Sequence, residues 1–144
     1  MFKLNKAAKS MAVVLAVSAL ALTGCGRAAT PEASGSAGGF AAGSLIGVAL
    51  PQKTSENWVL AEKLFNDGLT QAGFKGDVQF ANGGVSEQQN QISSMVTKGA
   101  KVIIVGAIDG GQLGTQLKQA KDAGATVIAY DRLLLNTANV DYYV

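Results

Sequence analysis

The feature that most constrains this chain is an alternation. Short, almost wholly apolar runs take turns with longer stretches whose apolar residues recur every third or fourth position, and glycines stand between them. Leu45–Leu50 is such a run, closed by Pro51, and reads as a buried strand. Thr54 or Ser55 caps the helix that follows. Its apolar positions Trp58, Leu60, Ala61, Leu64, Phe65, Leu69 and Ala72 lead to a stop at Gly73. Residues 77–81 form a second strand, and Asn82-Gly83-Gly84 a turn. Ser86 with Gln89 has the spacing of a capping box, opening a helix that passes Ile92, Met95 and Val96 to end at Gly99. Residues 102–106 make a third strand and Asp109-Gly110-Gly111 a loop. Leu113, Leu117 and Ala120 mark a third helix that ends at Gly124. Residues 126–130 are a fourth strand, and residues 140–144 begin a fifth. Uniformly apolar strands belong in a parallel sheet covered on both faces, and right-handed crossovers make it doubly wound. The expected fold is therefore a three-layer α/β domain, flavodoxin-like or Rossmann-like, over residues 45–144.

The residues before it read differently. Lys3, Lys6 and Lys9 precede an apolar run from Met11 to Leu22, broken only by Ser18. Its helix would span about 18 Å, short of the roughly 30 Å hydrocarbon core of a bilayer. A basic start followed by a short apolar stretch is the pattern of a secretory signal, expected over residues 1–24. The run ends in Leu22-Thr23-Gly24-Cys25, which resembles the lipobox of bacterial lipoproteins. The resemblance implies cleavage before Cys25, the only cysteine, and lipidation of its sulfur, which anchors the chain on the extracytoplasmic face of a membrane. Residues 25–44, rich in Ala, Gly and Ser, then read as a flexible tether with a reach of about 25 Å.

Composition excludes several classes. With no His and one Cys there is no His-based triad, no zinc cluster and no intramolecular disulfide. The net charge of +2 owes three of its twelve basic residues to Lys3, Lys6 and Lys9. The remainder holds 9 basic against 10 acidic residues, which gives no footprint for nucleic acid. No dinucleotide-binding glycine motif, Walker loop or nucleophile elbow occurs, so no catalytic constellation, cofactor or metal site is expected.

Ligands of doubly wound sheets bind beyond the carboxyl ends of the strands. That edge should carry Lys53, Glu56, Asn57, Trp58, Asp109, Asp131 and Arg132. Charged and amide groups suit the paired donors and acceptors of sugar hydroxyls, and an indole suits the apolar face of a pyranose. Each residue also has a plainer reading. Trp58 could pack, Glu56 could favour a helix N-terminus, Asp109 could cap the third helix, and Asp131-Arg132 could form a structural ion pair.

Ile46-Gly47-Val48-Ala49-Leu50-Pro51, followed by Lys53-Thr54-Ser55-Glu56-Asn57-Trp58, resembles the opening of type I periplasmic sugar-binding proteins of ABC importers. The resemblance is to the multiple-sugar-binding and xylose-binding receptors. Residues 91–102, Ala107-Ile108-Asp109-Gly110, the Tyr130-Asp131-Arg132 motif and Asn139-Val140-Asp141-Tyr142-Tyr143 carry it further. It implies capture of a pentose or hexose, without chemical conversion, for delivery to a membrane permease, by a receptor that is monomeric when complete. Lys53, Glu56, Trp58, Asp131 and Arg132 would contact sugar, with Asp109 nearby. Asn57 stands where relatives often have Arg, which alters the donors offered to the sugar. The family has two lobes, and the chain reads as the N-terminal lobe alone, truncated before the second. Two other readings share these features: a receptor feeding a chemoreceptor or sensor kinase, and a non-functional remnant.

Overall fold

The computed structural model describes residues 39–144. The expected leader, Cys25 and residues 25–38 of the expected tether lie outside the described residues. Of the tether's last residues, Gly43 donates its N–H to Gly73 O at 2.7 Å, and Ser44 O accepts from Lys75 N at 3.0 Å. Both are thus tied to the domain.

Five strands, β1 (Leu45–Leu50), β2 (Lys75–Phe80), β3 (Val102–Val105), β4 (Thr126–Ala129) and β5 (Tyr142–Tyr143), form one sheet in the order β2-β1-β3-β4-β5. Every pairing is parallel. Helices α1 (Glu56–Gln71), α2 (Val85–Thr97) and α3 (Gly114–Asp122) make the crossovers. This is the doubly wound order expected, with the direction of winding reversing between β1 and β3.

The register places Gly47, Ile103 and Val127 side by side on one face and Val48, Ile104 and Ile128 on the other. Behind the first face lies the main core. Ala49, Ile103, Val105 and Val127 meet Ile92, Met95, Leu113, Leu117 and Ala120 of the α2–α3 layer, all fully or almost fully buried. The second face is covered by α1, in which Ala61 is the only fully buried residue. Phe65 packs on Tyr130 and Leu69 reaches Gly76, while Ile104 and Ile128 remain half-buried. Leu60 and Leu64, two of the periodic apolar positions, lie outward at 54% and 59% exposure. They sit about 100° around the helix from Ala61 and Phe65, so the sheet covers one flank of a wide apolar arc and not the other.

Each helix ends the same way. Gly73, Gly99 and Gly124, with φ of 77°, 82° and 77°, follow the C-caps, where a side chain would be strained. In each case the next amide reaches back to the last turn: Phe74 N to Leu69 O, Ala100 N to Met95 O and Ala125 N to Ala120 O, at 2.9–3.1 Å. Helix starts are less regular. Ser55 is the N-cap residue of α1 but makes no side-chain cap bond. The capping box expected at Ser86 is not formed: α2 begins at Val85 behind Gly84, whose φ of 94° suits glycine. Glu87 reaches back instead and accepts from Gly83 N.

β5 is shorter than the expected residues 140–144, but backbone bonds from Asp141 N to Val127 O and Val144 N to Ala129 O continue its contact with β4. The Asp141 carboxylate accepts from Val127 N at 2.8 Å and from Lys121 Nζ at 2.6 Å, tying the strand to α3.

Candidate functional site

The site begins with a glycine. Gly106 follows the end of β3, and its N–H bonds to Ala49 O at 2.9 Å. The Trp58 ring, carried on the first turn of α1, lies against it so closely that a Cβ at Gly106 would stand 2.9 Å from Cζ3. Only glycine admits the indole there. Trp58 meets Tyr130 edge-on, centroids 6.0 Å apart, and Tyr130 meets Phe65 at 5.1 Å. The three rings form one aromatic column over the ends of the strands, with the edge-to-face geometry that ring quadrupoles favour.

After β4 the chain turns sharply. Arg132 N donates to Tyr130 O at 2.6 Å, closing a three-residue turn around Asp131, whose φ is 61°. A non-glycine residue in this region carries roughly 1 kcal/mol of strain, and Asp is among the residues that tolerate it. The turn is held from behind: Asp131 N bonds to Val144 O at 2.8 Å, and Tyr143 Oη donates to Asp131 O at 3.0 Å. Arg132 leaves the turn with Nη1 on Ala107 O at 2.8 Å and its guanidinium 5.3 Å from the Trp58 ring centroid. Its Nε is 4.0 Å from Asp131 Oδ2, a loose pairing. The guanidinium is therefore fixed by a backbone carbonyl and an indole face, and most of its five donors are not used in that fixing.

Asn57, Trp58, Tyr130, Asp131 and Arg132 line a cavity of about 270 Å³. That lies just under the ~300–1,000 Å³ usual for small-molecule sites. Four of the seven expected residues are thus brought together. Lys53 and Glu56 line a separate, shallow depression beside α1, with Val59, Leu60 and Lys63. There Lys53 Nζ pairs with Glu62 Oε2 at 2.7 Å. Asp109 turns its carboxylate onto its own loop, accepting from Gly111 N at 2.8 Å and Gln112 Nε2 at 2.7 Å. The Gln112 bond first, and the Gly111 amide second, hold its carboxyl below the ordinary range. It does not cap α3, whose N-cap residue is Leu113. Tyr130 was not among the expected site residues. The alternation of β4 held the signal, since 126, 128 and 130 share the face that α1 covers. No cluster of three or more metal-ligating side chains occurs among the described residues.

Comparison with known proteins follows the same outline. The model of the periplasmic binding protein domain matches residues 46–144, which span all five strands. The chain belongs to this family. Within the periplasmic binding protein family it is 44% identical over 98 residues to the multiple sugar-binding periplasmic receptor ChvE of Rhizobium radiobacter, covering 68% of this chain and 28% of that protein. It is 34% identical over 99 residues to the D-xylose-binding periplasmic protein of Escherichia coli K12, covering 69% of this chain and 30% of that protein. Among solved structures it superposes with TM-score 0.68 and 41% identity on an ABC transporter solute binding protein of Clostridium phytofermentans with bound β-D-glucose. That match covers 69% of this chain and 31% of the other. The chain therefore spans less than a third of the length of these relatives.

Proposed function

We propose that this chain is the N-terminal lobe of a lipid-anchored extracytoplasmic receptor that captures a monosaccharide for an ABC importer. The observation that carries the reading is the meeting of Trp58, Arg132 and Asp131 at one cavity. An indole face, a fixed guanidinium and a carboxylate held by a strained turn supply what a pyranose presents: an apolar ring face and adjacent hydroxyls. The names of the relatives support the same ligand class, two being sugar-binding receptors and one a structure holding glucose. The role is binding without bond cleavage, and the partner implied by the family is an ABC permease. Asn57 offers an amide at the cavity wall, so pentoses and hexoses are both candidates. Lys53, Glu56 and Asp109 stand further out, where a second lobe closing over the cavity would bring sugar or protein near them. The lipobox-like Cys25 supplies the anchor.

Calorimetry on the full chain against glucose, galactose, xylose and arabinose tests this. One wall of a cleft in open water predicts a Kd of about 1 mM for the preferred sugar. Arg132→Ala should weaken it about tenfold or more. Binding of no pentose or hexose, or binding indifferent to Arg132, counts decisively against the proposal. For the anchor, Cys25→Ser should move the protein out of the membrane fraction.

A further inference from the structure

Gln88 is the one fully buried polar side chain among the described residues, and it has no part in the cavity wall. It lies on α2, under the carboxyl ends of two strands. Its amide nitrogen donates to Gly106 O at 2.9 Å and to Ala49 O at 3.3 Å. Its oxygen accepts from Ile108 N at 2.9 Å. One carboxamide therefore spans the end of β1, the end of β3 and the loop beyond it. Ala49 O already accepts from Gly106 N, but Gly106 O and Ile108 N would otherwise be short of a partner where the ladder stops.

Two of the three residues it grips, Gly106 and Ile108, bracket the segment the site rests on. Gly106 is the surface against which the Trp58 ring lies, and Ala107, between the two, offers the carbonyl that holds Arg132. We propose that Gln88 is the positioning residue of the site: by fixing Gly106 and Ile108 it sets the height of the Trp58 ring and the reach of Arg132. Its hydrogen bonds go to neither side chain. It acts through a backbone segment of three residues, which a buried, fully bonded amide makes rigid. The proposal takes the cavity to be the binding site, but its test needs no sugar.

Trp58 is the only tryptophan in the chain, so its fluorescence reports the site alone. Gln88→Met keeps length and removes all three bonds. It should shift Trp58 emission to the red and raise its quenching by acrylamide, with far-UV circular dichroism unchanged. Leu117→Ala, a core change on α3 away from the loop, should lower the urea midpoint without moving Trp58 emission. If Gln88→Met lowers stability yet leaves emission and quenching as in the parent, Gln88 is structural only and the proposal fails. Should Gln88→Met not fold, hydrogen exchange on the parent decides. Protection of the Ile108 amide comparable to Val105 supports the clamp, and exchange as fast as an open loop overturns it. A chain that binds no sugar but passes these tests would unseat the proposed function and leave Gln88's role standing.

Discussion

The two faces of the sheet are built from alternate residues of the same strands and have different fates. The face under α2 and α3 is sealed: Ile103, Val105 and Val127 are wholly buried, in a continuous core with Ile92, Met95 and Leu117. The face under α1 is buried at Val48 and Leu50 but only half-buried at Ile104 and Ile128, and it ends in the aromatic column of Phe65, Tyr130 and Trp58. Hydrophobic stabilisation scales with area removed from water, so the first face contributes most of the stability. The second has room for surfaces that stay wet, and the cavity is there. The sealed core and the cavity are divided between odd and even positions of the central strands.

The widest separation should come from paired truncations. Ile103→Ala is expected to cost about 2–5 kcal/mol. Ile128→Ala, one strand over on the other face, should cost about 1–2 kcal/mol, because part of its side chain already meets water. Urea midpoints measure both, and equal losses would break the contrast. Next comes Gly106→Ala, which inserts a methyl group where the Trp58 ring lies. It should cost about 1–3 kcal/mol and displace Trp58 emission, since the ring must lift.

A smaller effect lies at the sheet edge. Lys121's hydrogen bond first, and the Val127 amide second, hold the Asp141 carboxyl below its ordinary 3.8. A depressed folded pKa adds stability that is fully present above the unfolded value and is lost as pH falls through the folded one. Stability should therefore decline as pH drops below about 4 in the parent and decline less in Asp141→Asn, which at pH 7 costs under about 1 kcal/mol because the pair is partly exposed. A pH series of thermal midpoints reads this. Least of all, Leu60→Gln on the outward flank of α1 should change stability by no more than about 0.5 kcal/mol. A larger loss would show that flank to be more covered than its exposure indicates.

Much of this organisation was legible in the sequence. Apolar runs located β1, β3 and β4, and the parallel, doubly wound order followed from them; the half-polar edge strand β2, expected at 77–81, instead runs Lys75–Phe80. Legibility failed where a competing contact decides. The spacing of Ser86 and Gln89 fits a capping box, but Gly84 and Glu87 close that turn first. Periodicity marks Leu60 and Leu64 as apolar without saying which flank of α1 the sheet covers. The expected residues do stand in the loops that follow the strands, yet loop geometry sorts them. Asp109 bends back on Gly111 and Gln112, Lys53 pairs with Glu62, and Asn57, Trp58, Asp131 and Arg132 converge. Nothing local marks Gln88, because its three partners lie 18 to 39 residues away.

The three matching helix endings have a consequence for how such a domain can change. At the entry edge of the sheet, Gly73, Gly99 and Gly124 each return the chain to a strand within three residues, by the same pair of bonds. At the exit edge no two connections are alike. A lineage can therefore rewrite its exit loops and the side chains they present, while the standardised joints at the opposite end keep β2, β3 and β4 in register. The uniform end supplies inheritance, and the irregular end supplies variation.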